Sequence, residues 1–441
     1  MTIRIGCGSG GAPDLVGPAE DLAWRGRLDY LCFEALAERT LALGHVARRN
    51  GAPGYSPKLE ARLRAVLPHC AAQGTRILTN MGAADPAGAG AATAALARDL
   101  GVRLRIAVVH GDDVLPLIGP DTLLPETGGT VAGFGRTPIA ANAYIGHEAM
   151  ARALAEGADV VIAGRVSDSS LFLAPIVHDL GLAPDDWTML ARGALVGHLL
   201  ECSTQITGGY FADPGYKEVP GLDDLAFPLA EVAPDGSAVI AKLPGTGGCI
   251  TPLTVKEQLL YEVHDPTAYL TPDVTADFST VTIAQVGPDR VQVAGASGRA
   301  RPDRLKALVA FDGGWLAEGG IGYAGPGAAD RARLAADIIR SRMMRRHGFQ
   351  GELRLDLVGL SSLHATAGPT EADSQDVRLR GALRSPDRRW ADLLLEEIEA
   401  LWMGGPAGGG GYRGTVVPTV ITQPTYIPRA DVPTRLTWIE T

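Results

Sequence analysis

Along the first 200 residues, short apolar runs alternate with amphipathic stretches. That is the pattern of parallel strands joined by helices packed on the sheet faces. Strands are predicted near 3–7, 28–33, 76–79, 104–109 and 159–163, each followed by a polar or glycine-bearing turn. Helices are predicted at 35–49, 57–72, 86–100 and 142–156, where apolar residues recur every three or four positions, and again over 187–203. Residues 204–302 crowd Gly, Pro and Asp around short strands and read as an elaboration of the first domain. From 303 the order becomes strand 305–311, strand 315–323, helix 328–346, strand 352–359, strand 376–384, helix 388–402 and strand 415–421. The expectation is therefore an α/β domain over 1–302, with a largely parallel sheet and helices on both faces. A smaller α+β sandwich domain over 303–441 follows it.

Composition supports two cores, since 441 residues with 46% apolar and 20% charged positions suffice for globular burial. The 56 glycines and 30 prolines sit mostly at the ends of apolar runs, as turn punctuation. A net charge of −10 without a Lys/Arg block argues against nucleic acid. No segment reaches the roughly 18 apolar residues of a membrane span. The N-terminus enters a strand at once, with no room for a signal peptide. Five scattered cysteines lack a CxxC pair, which suits a reducing, cytoplasmic setting. Homo-oligomerisation is the expected assembly, as is common for proteins of that compartment.

Ligands of parallel α/β sheets bind beyond the carboxyl ends of the strands, so those turns carry the candidate chemistry. They read Cys7-Gly8-Ser9-Gly10-Gly11, Glu34, Thr79-Asn80-Met81-Gly82, His110-Gly111-Asp112-Asp113 and Gly164-Arg165-Val166-Ser167-Asp168-Ser169. Gly6, Gly8 and Gly11 match GxGxxG, but Pro13 and Asp14 follow where a dinucleotide-binding helix should open, which disfavours a nicotinamide cofactor. Asp112 and Asp113 suit a Mg²⁺ or Mn²⁺ ion or a capped turn, and they are the alternative to His198 and Glu201 as the groups that move a proton. Arg165 suits either a substrate carboxylate or an ion pair with Asp168 that braces the loop. Asn80 is placed to polarise a carbonyl. His198, Glu201 and Cys202 stand at i, i+3 and i+4 of a helix, where the first two suit proton transfer and the thiol either nucleophilic attack or core packing. Cys7 is a second candidate thiol, and Cys7 and Ser9 face a substrate in this reading. The turn with Gly247 and Gly248, flanked by Lys242 and Lys256, suits a carboxylate or the phosphates of a coenzyme A tail, or else simply precedes a helix capped by Thr254. The GGPAGGGG run at 404–411 is either a loop or a close backbone approach to a ligand.

The stretches RIGCGSG, LDYLCFEALAERTLAL, LPHCAAQGTRILTNMGAADP, GADVVIAGRVSD, GHLLECSTQITGGYFADPG, LPGTGGCITPLTVKEQLLYEVHDPTAYLTPDV and GPAGGGG, in this order, resemble the acyclic terpene utilization AtuA family over nearly the whole chain. The resemblance implies a lyase or hydratase acting on a 3-hydroxy-3-alkyl carboxylic acid or its acyl-CoA thioester, coenzyme A being part of the substrate. The rival readings are a Cys-dependent acyl transferase or hydrolase, and a non-catalytic binding subunit that needs a partner protein. Such a partner would be a separate small-domain protein, because many relatives carry, or are encoded beside, a further domain of about 100 residues. In the family an Asp followed by Arg comes shortly after the first Gly turn. Here Asp14 precedes Leu15, so no anion-binding role passes to that position.

Overall fold

The computed structural model describes residues 2–363 and 374–441. The chain is mixed α/β and divides into two compact units, Met1–Ala310 with Thr422–Thr441, and Phe311–Ile421. Residues 303–310 and 422–441, expected in the second domain, thus belong to the first unit.

The first unit is built on β1 (Ile3–Gly10), β2 (Tyr30–Glu34), β3 (Arg76–Thr79), β4 (Arg105–His110) and β5 (Val160–Ile162), all parallel. β6 (Pro228–Val232), β7 (Ala238–Lys242), β8 (Thr282–Gly287) and β9 (Arg290–Ala294) extend one edge antiparallel, and β10 (Arg435–Glu440) closes the other against β4. The sheet order is β8-β9-β7-β6-β1-β2-β3-β5-β4-β10. The inner strands are buried on both faces, so they read as continuous apolar runs, whereas Arg290–Ala294 and Arg435–Glu440 toward the edges alternate and carry charge, which hid them in the sequence.

The helices are α1 (Gly17–Arg25), α2 (Glu38–Arg49), α3 (Leu59–Gln73), α4 (Pro86–Asp99), α5 (Glu148–Ala155), α6 (Asp168–Leu180), α7 (Trp187–Glu201) and α8 (Pro252–Leu260). Neighbouring pairs α1/α3 and α3/α4 pack together, as do α5/α6 and α6/α7. Sequence signals set their ends. Asp85 caps α4 ahead of Pro86, Gly74 closes α3 at φ +74°, and Thr251 with Thr254 forms a capping box on α8. The cap of α8 is therefore Thr251, three residues before the expected one. The helix expected at 142–156 begins only at Glu148, because Pro138–Ala143 is a strand. α1 was not anticipated, its start being masked by Gly17-Pro18.

The second unit has four strands, drawn from Leu353–Val358, Asp376–Ser385, Arg304–Ala324 and Gly410–Pro428 in that sheet order, the first three paired antiparallel. Helices Ala328–Ser341 and Arg388–Glu399 pack on them over a core that includes Ile321, Tyr323, Ile339, Leu379, Leu394 and Ile398. The two strands expected at 305–311 and 315–323 are one 21-residue strand, Arg304–Ala324. The glycine-rich run ends in strand from Gly410 onward.

In the sheet order β5 lies between β3 and β4, so the winding reverses there. Such a reversal opens a crevice at the carboxyl ends of the strands.

Candidate active site at the strand ends

Glu34 ends β2 with 6% of its surface exposed. Its Oε1 accepts from Leu36 N at 2.6 Å and Asn80 Nδ2 at 3.0 Å, while Asn80 Oδ1 accepts from Ala35 N at 2.8 Å. Asn80 thus spends its Oδ1 and one of its two Nδ2 N–H groups on holding Ala35 and Glu34, which leaves one N–H for the expected contact with a substrate carbonyl. Ser9 likewise donates to Glu34 O at 2.5 Å and is fully buried, which makes it a brace rather than a substrate ligand. Burial, reinforced by the negative charge of Asp168, lifts the Glu34 carboxyl to about 8.

Arg165 follows β5 and is buried. Nε donates to Val166 O at 2.7 Å, Nη1 to Leu36 O at 2.6 Å, and Nη2 to Val166 O and Asp168 Oδ1. Four of its five N–H groups are spent on these bonds. The bracing alternative is therefore the one realised, not the bidentate grip on a substrate. Its guanidinium also lies 4.6 Å from the centroid of the Tyr144 ring, and Asp168 holds it charged against the opposing effect of burial. The Asp168 carboxyl is raised by burial although Arg165 opposes this; its side chain keeps 36% exposure, so water tempers the rise.

α7 delivers Glu201 to the same end of the sheet. A Cβ on Gly10 would lie 2.5 Å from the Cys202 carbonyl carbon and 2.7 Å from Glu201 O, so only glycine lets the end of β1 meet the end of α7. His198 and Glu201 are neighbours on one helix face, as their spacing implied, with Nδ1 and Oε1 3.0 Å apart. His198 is fully buried; its Nε2 faces Leu259 O at 3.2 Å, and its ring stacks on Phe278. With both nitrogens engaged, His198 is placed to position Glu201. Burial lifts Glu201 to about 7, with His198 opposing and Asp168 adding to the rise. Ala83, beyond Asn80, and Ser203, beyond Glu201, hold φ at +45° and +49°, an uncommon cost for side-chain-bearing residues and one that concentrates at functional sites.

The remaining expected residues are elsewhere engaged. Asp112 is buried, and its Oδ2 accepts from Arg165 N at 2.8 Å and Asn142 Nδ2 at 2.9 Å; burial lifts it to about 6. Asp113 is exposed and accepts from Leu115 N at 3.2 Å. The two carboxylates therefore do not converge on a cation. At the glycine turn, Gly247 N and Gly248 N donate to Asp224 O and Pro220 O, and Lys242 pairs with Asp289 at 3.2 Å. Those amides are not free for an anion, and Lys256 lies exposed on α8.

Among the described residues, His147, Glu148 and Asp273 offer ligand atoms within 4.8 Å of one another. Asp273 Oδ1 already meets His147 Nδ1 at 2.8 Å and N at 3.0 Å, its Oδ2 accepts from Ser170 Oγ at 2.5 Å, and Arg301 pairs with Glu148. The donor set fits an internal brace better than a metal. Sequence reading missed Glu34 as a site residue although it named the turn. Tyr144 is concealed as a site residue because it falls inside the helix expected at 142–156, where the structure has the end of a strand and a turn.

All five cysteines are free. Cys7 is fully buried, bonds Ser9 O at 3.2 Å, and is raised well above the usual thiol range by burial and Asp14. Burial and Glu201 likewise raise Cys202, and burial and Asp289 raise Cys249. Neither Cys7 nor Cys202 is thus a ready thiolate nucleophile. Iodoacetamide at pH 7 is expected to label the native protein without a fast phase; rapid modification of Cys202, read by mass spectrometry, would restore the nucleophile reading.

No helix among the described residues is long and apolar enough to cross a membrane. The family model described as acyclic terpene utilisation family protein AtuA matches residues 3–438, and the chain belongs to that family. No curated protein matches it.

Proposed function

We propose that this member of the acyclic terpene utilisation family is a lyase of the hydratase or carbon–carbon type, acting on a 3-hydroxy-3-alkyl acid or its acyl-CoA thioester at the strand-end site. One observation carries the reading: Glu34 and Glu201, buried at the same end of the sheet, are lifted to about 8 and about 7. Proton-transfer groups work best when they titrate near the operating pH.

In the dehydration direction, Glu201, half ionised near neutrality, takes the proton from the carbon beside the carbonyl. The electron pair left behind forms the carbon–carbon double bond as the bond from the neighbouring carbon to oxygen breaks. Glu34, largely protonated, gives its proton to the departing hydroxyl, which leaves as water. Glu34 Oε1 is held by Leu36 and Asn80, so Oε2 is the oxygen assigned to this transfer. His198 stabilises either protonation state of Glu201. The proposal includes a reducing, cytoplasmic setting, supported by the five free cysteines.

The test is incubation of the purified protein with 3-hydroxyacyl-CoA thioesters and with the free hydroxy acids, read by mass spectrometry for loss of water or chain cleavage. Turnover of either class is expected. No turnover of either, with and without divalent cations, would overturn the reading.

A further inference from the structure

The first unit contains a cavity of about 700 Å³, within the range that holds a small organic ligand. Its apolar wall includes Leu117, Ile118, Leu123, Leu305, Ile427 and Pro428. Its polar wall includes Tyr144, Ser167, Thr271 and Lys306. That polar wall backs directly onto the strand-end site. Ser167 immediately precedes Asp168, and the Tyr144 ring that receives the Arg165 guanidinium also has Lys306 Nζ 4.8 Å from its centroid. The Tyr144 hydroxyl donates to Glu38 Oε1 at 2.9 Å, and Lys306 pairs only loosely with the same oxygen, at 3.5 Å.

The charge on the lining selects between two kinds of ligand. Arg304 and Lys306 are balanced by Asp121 and Asp431, and Arg304 is committed to Tyr426 O. The cavity therefore offers no net positive field to a di- or tricarboxylate, whereas its apolar wall rewards a hydrocarbon body. Lys306 keeps 44% of its side chain accessible and is the one lining cation with a loose partner, suited to a single polar head.

We propose that this cavity holds the hydrocarbon body of an acyl substrate whose carboxylate or thioester end sits at Lys306 and Ser167. The assignment rests on the strand-end site being the catalytic one, and names the substrate chemistry and the residues that set chain length.

Calorimetric titration with butanoate, hexanoate, octanoate and decanoate, and with the N-acetylcysteamine thioesters of the same acids, tests it without any turnover. Affinity is expected to rise about fourfold for each added methylene, with citrate binding more weakly than decanoate. Leu123→Trp, at an exposed rim position with 67% accessibility, is expected to weaken decanoate at least tenfold and leave butanoate and the thermal midpoint unchanged. Lys306→Met is expected to weaken the free acids about tenfold more than the thioesters if the head is a carboxylate, and both classes alike if the head is a carbonyl. Affinity independent of chain length, or citrate binding more tightly than decanoate, would overturn the inference. Chain-length dependence without turnover would leave it standing and remove the lyase reading. Turnover with flat chain-length dependence would do the reverse.

Discussion

Arg165→Met is expected to be the most destabilising single substitution at the strand-end site, costing about 3 kcal/mol. The guanidinium is buried, serves the carbonyls of Leu36 and Val166, and is the ion-pair partner of Asp168. Removing one member of a buried pair typically costs 3–5 kcal/mol, roughly, because the other charge is left uncompensated. Here the lower end applies, since Asp168 keeps 36% of its side chain accessible and water takes up part of its charge. An unfolding entropy of about 2.1 cal/mol/K per residue over the larger unit converts that loss into a fall of about 4 °C in thermal midpoint. Arg165→Lys should recover little, because an ammonium cannot serve two carbonyls and a carboxylate in one plane. Asp168→Asn introduced into Arg165→Met should regain stability, since it removes the orphaned charge. If Arg165→Met unfolds at the parental midpoint, Arg165 is not a brace and its role as a substrate anchor reopens.

The core of the first unit was legible because its parallel strands are buried on both faces and read as unbroken apolar runs: Cys32-Phe33, Ile77-Leu78 and Val161-Ile162 are all inaccessible or nearly so. The antiparallel edge was not, because strands such as Arg290–Ala294 alternate polar residues with buried valines over too few positions to separate them from turns. β10 was missed for a topological reason. Nothing local in Arg435–Glu440 says that the last strand returns across more than 300 residues to pair with β4.

The site was legible to the level of its turns, since five strand ends were named and those of β1, β2, β3 and β5, with the end of α7, do meet. The roles of individual residues were not. Whether Arg165 and Asn80 face a ligand or a neighbouring backbone depends on which carbonyls and amides the fold leaves unpaired, and those belong to Leu36, Val166 and Ala35, on another strand's loop or the residue's own. His198 and Glu201 were readable because their partnership is local, one turn of a single helix. Glu34 has one local partner, the Leu36 amide, and that bond does not set its chemistry. Its carboxyl is raised by burial between β1 and β3 and by the charge of Asp168, and it is held in place by Asn80, 46 positions away.

That placement makes Glu34→Gln the sharpest test of the proposed chemistry, because activity and stability should move in opposite directions. Turnover should fall by about 10²–10⁴-fold, the usual contribution of a general acid, while Gln Oε1 still accepts from Leu36 N and Asn80 Nδ2. For stability, the carboxyl titrates near 4.5 when unfolded and near 8 when folded. The folded protein binds the extra proton between those values, so the contribution of Glu34 is fully present below about pH 4.5 and is lost as pH rises through about 8. At about 1.4 kcal/mol per pH unit, burying the ionised side chain costs on the order of 5 kcal/mol once the window is crossed, an upper bound because neighbouring groups relax. Gln has no such titration. Urea midpoints of variant and parent should therefore lie close together near pH 5 and diverge toward pH 9, with the variant the more stable. Glu201 titrates with the same sign in both proteins and largely cancels from the difference. A variant that unfolds no later than its parent at pH 9 would show that Glu34 is not held protonated. A variant that keeps full turnover would remove Glu34 from the chemistry.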